Sequence, residues 1–164
     1  MARYLLSSQS LLDIARRQGR PAEKWLESAT EQGVDARDVC ISAVAPMNVL
    51  GLVQAEIAKA AASRTPSALL AWRTLEDNIR NYVLDLAADD RIVPMDHHIA
   101  ERWGILLDCE IQYIDPAGVP YAIGSAEKLE IATAMIGRHG IPFIYVAEKQ
   151  DVHATLAELV VESP

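Results

Sequence analysis

The residues best placed to do chemistry lie near the start of the chain, where the apolar run Tyr4-Leu5-Leu6 leads straight into Ser7-Ser8-Gln9-Ser10. Hydroxyls at the end of a strand act as helix caps or as nucleophiles. A serine nucleophile needs a base to take its proton, and nothing in the sequence nominates one, so Ser7, Ser8 and Ser10 do not read as a nucleophile. They are also weak metal ligands, because a hard dication prefers anionic oxygen. Asp96 stands immediately before a helical apolar pattern and reads as an N-cap, although an acid beside a cleft would also serve as a replacement ligand. His97 and His98 are adjacent on a helix and should not face one ligand point, which argues against zinc. His139, before Gly140, is placed to meet free carbonyls at a helix end. Glu127 suits a helix N-terminus, and Glu148 reads as an ordinary surface glutamate.

Other signatures of catalysis are missing. No Gly-rich phosphate loop follows a strand, no Gly-x-Ser-x-Gly turn occurs, and Cys40 and Cys109 have neither metal-ligand nor disulfide spacing, so both read as free thiols. The net charge of -8 repels a nucleic-acid backbone at long range. Arg16, Arg17, Arg20 and Lys24 form the densest basic group, but no aromatic residues interleave to stack bases, and the group reads as a solvated helix end. Trp25, Trp72 and Trp103 lie at apolar or boundary helical positions and read as packing anchors.

The elements that must position these residues alternate between short apolar runs and amphipathic stretches. Apolar residues make up 51% of the 164 and aromatic ones 5%, which suits an aliphatic core of helices packed on a parallel sheet. Ser8 or Ser10 is expected to cap a helix through Leu11, Leu12, Ile14 and Ala15 that stops at Gly19. A second helix starts at Pro21 and carries Trp25, Leu26 and Ala29 to Gly33. Val39-Cys40-Ile41-Ser42-Ala43 reads as a buried strand. Pro46 opens a helix with a Val49, Leu50, Val53 and Ile57 stripe, and Thr65-Pro66 starts a long one through Leu86. Ile92 to Met95 is a short strand before the Asp96-capped helix that carries Ile99, Ala100, Trp103, Leu106 and Leu107. Residues 112–124 read as irregular. Ser125 is expected to cap a helix from Ala126 to Arg138, followed by the strand Ile141 to Val146 and a last helix and strand from Asp151 onward.

Several of these stretches resemble PIN-domain nucleases of the VapC toxin type. The opening is similar to their Tyr-Leu-Leu-Asp-Thr-Asn-Val-Leu. Val93-Pro94-Met95-Asp96 followed by Ala100-Glu101-Arg102-Trp103-Gly104 is similar to Leu-Pro-Leu-Asp followed by Ala-Glu-Arg-Trp-Gly. The run through Ile131-Ala132-Thr133-Ala134 resembles their Asp-Ala-Leu-Ile-Ala-Ala-Thr-Ala. The resemblance extends over essentially the whole chain and implies one α/β domain, residues 1–164, with a central parallel sheet flanked by helices on both faces.

Such nucleases hold divalent ions on carboxylates at the strand ends to activate water and stabilise the leaving oxygen. Position by position the resemblance puts Ser7 at the first acid, Asn48 at the second (Met47 if the register shifts by one), Glu127 at the third and Glu148 at the fourth. Half of the acidic cluster is thereby lost, and each remaining carboxylate is one carbon longer. Two readings follow. One is a non-catalytic relative without a metal cofactor, acting through protein contacts as a homodimer or with an antitoxin-like segment across its groove. The other is a magnesium- or manganese-dependent endoribonuclease acting on RNA with Glu127, Glu148 and Asp96 as ligands. A small-ligand binder at the strand ends is a third possibility. With no apolar run of the roughly 20 residues a bilayer requires and no signal sequence, a cytoplasmic location is expected.

Overall fold

Successive residues of a strand point to opposite faces, and in the first strand both directions are apolar, so this strand must be covered on both sides. The computed structural model describes residues 3–114, 117–147, 156 and 159–164. Its strands are β1 (Tyr4–Leu6), β2 (Val39–Ser42), β3 (Ile92–Val93), β4 (Gln112–Ile114), β5 (Pro120–Ala122), β6 (Ile144–Val146) and β7 (Val161–Glu162). Its helices are α1 (Ser8–Arg16), α2 (Pro21–Glu31), α3 (Ala45–Ala62), α4 (Pro66–Ala88), α5 (His97–Leu107) and α6 (Ser125–Ile136). Five strands form a parallel sheet in the order β3-β2-β1-β6-β7. Leu5, Cys40 and Tyr145 face a core shared with α5 and α6. Leu6, Val39, Ile41 and Val146 face a second core shared with α1, α2, α3 and α4. The expected α/β architecture with helices on both faces is the one found. No helix among the described residues is long and apolar enough to cross a membrane.

Local structure differs from expectation at a few points. Ser7, rather than Ser8 or Ser10, caps α1; it is extended, and its Oγ accepts from the Ser10 N–H at 3.1 Å. Gly124, not Ser125, occupies the cap of α6, since Gly124 is the last extended residue and Ser125 is already helical. The segment read as irregular contains the antiparallel pair β4 and β5, and it is anchored by Ile111 and Ile123 in the core beneath it. β6 begins at Ile144 instead of Ile141, because Ile141 closes a turn onto Arg138 and Pro142 has no N–H to give a ladder. That turn also takes His139 away from the helix end, which falls at Gly137. The expected last helix lies outside the described residues apart from Leu156. Asp96 caps α5 as expected, with Oδ1 accepting from the Ile99 N–H at 2.9 Å.

Gly137 sets the turn that brings α6 back to the sheet. Its φ is +70°, and a Cβ there would stand 1.7 Å from the Ile141 carbonyl oxygen. Gly137→Ala is therefore expected to lower unfolding stability by at least about 2 kcal/mol in urea titration. An unchanged midpoint would mean that the turn is not built in this way.

Candidate functional site

From β1 the chain passes to β2 on one side, and β6 later returns on the other, so a crevice opens beyond the carboxyl end of β1. A cleft of about 430 Å³ lies there, lined chiefly by Ser7, Ser8, Asn48, Glu127, Glu130 and Tyr145. At its floor is a group that the sequence reading missed, the carboxylate of Glu130, which is 1% exposed. Its Oε2 accepts from the Ser8 backbone N–H at 3.0 Å and from the Tyr145 hydroxyl at 3.0 Å. Its Oε1 accepts from the Ser8 hydroxyl and, at 3.2 Å, from the Asn48 side-chain amide. The same amide lies 3.4 Å from Ser8 Oγ.

Each partner arrives for a local reason. The Ser8 N–H belongs to the first turn of α1, where amides have no intrahelical acceptor and the helix dipole favours a negative charge. Asn48 stands in the first turn of α3, which Pro46 starts near the end of β2. Tyr145 points from β6 toward α6 because it alternates with Ile144 and Val146. Burial pushes the Glu130 carboxyl above the ordinary glutamate value; the bonds from Ser8, Tyr145 and Asn48 pull it back only in part. Burial also lifts the Tyr145 phenol well above its usual value, and the nearby Glu130 and Glu127 charges add to that shift, so the ring keeps its donor proton.

Of the positions implied by the resemblance, Ser7, Asn48 and Glu127 line this cleft, while Glu148 lies outside the described residues. Asn48, not Met47, is the residue that faces inward, and Met47 is 72% exposed. Asp96 serves α5 as its cap and is not part of the lining. The His97 and His98 rings, expected to diverge, lie 3.8 Å apart between centroids. They are exposed, and no group of three or more His, Cys, Asp or Glu suited to a metal occurs among the described residues. Trp25 packs edge-on against Tyr4 and donates to Glu162 at 2.6 Å, and Trp103 donates to the Ser125 carbonyl at 2.9 Å, so both act as packing anchors. Counted back from Ala134 in the resembling run, Glu130 falls where the relatives have isoleucine. An acid one turn after Glu127, on the same helical side, was the available signal.

Among the described residues the donor set does not suit a pair of divalent ions. Ser7 Oγ is occupied by Ser10, whose own hydroxyl goes to the Val146 carbonyl at 2.9 Å. Asn48 presents its NH₂ to the cleft floor, and an amide nitrogen does not ligate such ions. Both Glu130 oxygens already accept two bonds each. Glu127 is the remaining described carboxylate in the lining.

The raised carboxyl makes a pH prediction. Folded Glu130 holds its proton to higher pH than the unfolded chain does, so its contribution to stability is complete in acid and is lost as pH rises through the elevated folded value. Wild-type stability relative to Glu130→Gln should thus fall as pH is raised from about 4.5 toward neutrality, as read by urea denaturation at each pH. A difference between the two proteins that does not change with pH would show that burial is fully offset by the four donors.

No family model matches the chain, and no curated protein matches it. Among solved structures, the chain is similar to one in the crystal structure of VapBC2 from Rickettsia felis bound to a DNA fragment from their promoter. The TM-score is 0.53 at 14% identity, over 98% of this chain and 98% of that chain. At that identity the likeness is one of fold, and the fold it supports is the single α/β, PIN-like architecture that the sequence motifs implied.

Proposed function

We propose that this chain is a PIN-like domain that works by binding another macromolecule and not by metal-dependent cleavage of RNA. The observation that carries the reading is the state of the Glu130 carboxylate. Protein donors satisfy both of its oxygens, so the deepest described carboxylate of the cleft directs no lone pair at a cation. Ser7 and Asn48 support it, since neither offers an anionic oxygen. The partner is taken to be a second copy of the chain or a protein segment lying across the groove at the strand ends, with no metal cofactor. The rival reading, a magnesium- or manganese-dependent endoribonuclease, has in its favour that Glu127 and Glu130 both line the cleft.

Calorimetric titration with manganese, run beside an RNA-cleavage assay, separates the two. The binding reading expects no heat and no cleavage. Cleavage that disappears in Glu127→Gln would overturn it. A gain-of-function variant tests the geometry further: Ser7→Asp with Asn48→Glu adds two carboxylates beside Glu130. Acids about 4 Å apart repel by roughly 4 kcal/mol at an effective dielectric near 20 unless a cation lies between them. The double variant is therefore expected to bind manganese and to be stabilised by it. If it folds but gives no heat, these positions do not converge on one point.

A further inference from the structure

The hydroxyl cluster at the end of β1 lacks a base in the sequence, but the fold supplies one. We propose that Ser8 is an activated nucleophile, with Glu130 as its general base, that accepts the acyl group of small uncharged esters in the cleft. Ser8 is singled out from its neighbours by where each hydroxyl goes. Ser7 caps α1, and Ser10 is 0% exposed and bonded to the Val146 carbonyl. Ser8 is half-buried, lines the cavity and directs its Oγ onto Glu130 Oε1. The base is held in place by Tyr145 and by the Ser8 backbone N–H, which fixes the Oγ and the carboxylate relative to one another. This is the arrangement of a nucleophile whose base is itself oriented by a further group.

Two features favour the partial negative charge that Oγ carries as its proton leaves. Ser8 is the first residue of α1, so its Oγ sits at the positive end of that helix, where the Gln9 N–H has no intrahelical acceptor. The Asn48 amide is 3.4 Å from Oγ. In acylation, Oγ bonds to the ester carbonyl carbon, the Oγ proton passes to Glu130, and the carbon–alkoxide bond breaks with that proton leaving on the alcohol. In deacylation, water attacks the acyl carbon, its proton passes by way of Glu130 to Oγ, and the carboxylic acid is released. The Glu127 carboxylate in the lining disfavours anionic esters, and about 430 Å³ admits a small acyl group.

The inference goes beyond the binding role and uses no metal, so it is tested separately from manganese binding, and either idea can fail without the other. A fluorophosphonate is the probe: Oγ bonds to phosphorus, the P–F bond breaks, fluoride leaves, and Glu130 takes the proton. Peptide mass mapping is expected to place the adduct on Ser8 in the native protein and not in the urea-unfolded chain. Glu130→Gln, with its fold checked by circular dichroism, should slow labelling by about 100-fold. No adduct on Ser8, or one that forms as fast in the unfolded chain or in folded Glu130→Gln, would overturn the proposal.

Discussion

The structure depends on a carboxylate buried where two helical layers meet. Glu130 belongs to α6, which packs on one face of the sheet, whereas Ser8 and Asn48 belong to α1 and α3 on the other face. Their hydrogen bonds cross the carboxyl edge of β1 and tie the two layers together at a point where no strand does so. An ionised carboxylate taken out of water costs several kcal/mol unless donors replace its hydration. Removing one donor therefore costs more than one average hydrogen bond, because it leaves part of a buried charge unmet.

This constraint explains how the cleft keeps its shape with Ser7 and Asn48 at its edge. An N-cap serine holds the first turn of a helix about as well as an aspartate, so Ser7 keeps β1 and α1 in register with no negative charge. Asn48 and Glu130 form a matched pair. A glutamate in place of Asn48 would set carboxylate against carboxylate, whereas the amide gives Glu130 a donor 3.2 Å away. The donors that meet Glu130 occupy both of its oxygens, and neither Ser7 nor Asn48 adds an anionic oxygen beside it.

How much of this was legible in the sequence follows from how local each cause is. Asp96 before an apolar helical pattern, and Pro46 and Pro66 in the first turns of α3 and α4, are local signals, and the elements they start are where the pattern put them. The apolar run Tyr4-Leu5-Leu6 was likewise a local signal, and β1 lies on it. The β4 and β5 pair was hidden by the Pro, Gly and Tyr content of its segment, because its anchoring by Ile111 and Ile123 is a tertiary effect. Glu130 was hidden more deeply. It lies within an apolar run, and its partners Ser8 and Asn48 are 122 and 82 residues away. The missing base for Ser8 was missing for the same reason.

Lys128 shows why α6 can carry that carboxylate accurately. Residues 128–134 of this helix are buried all round, so no polar face tells it how to turn about its axis. Two charged side chains supply the instruction. Lys128, 8% exposed, reaches the end of α5, where its Nζ donates to the Cys109 carbonyl at 2.7 Å and the Leu107 carbonyl at 3.4 Å. Glu130, two positions on and so roughly opposite around the axis, reaches the first turn of α1. A cation thus meets the negative end of one helix and an anion the positive end of another. Rotating α6 would take both charges from their partners at once. That double penalty holds the Glu130 oxygens against Ser8 before anything enters the cleft, so whatever binds there meets a site already in place and spends little of its affinity ordering it.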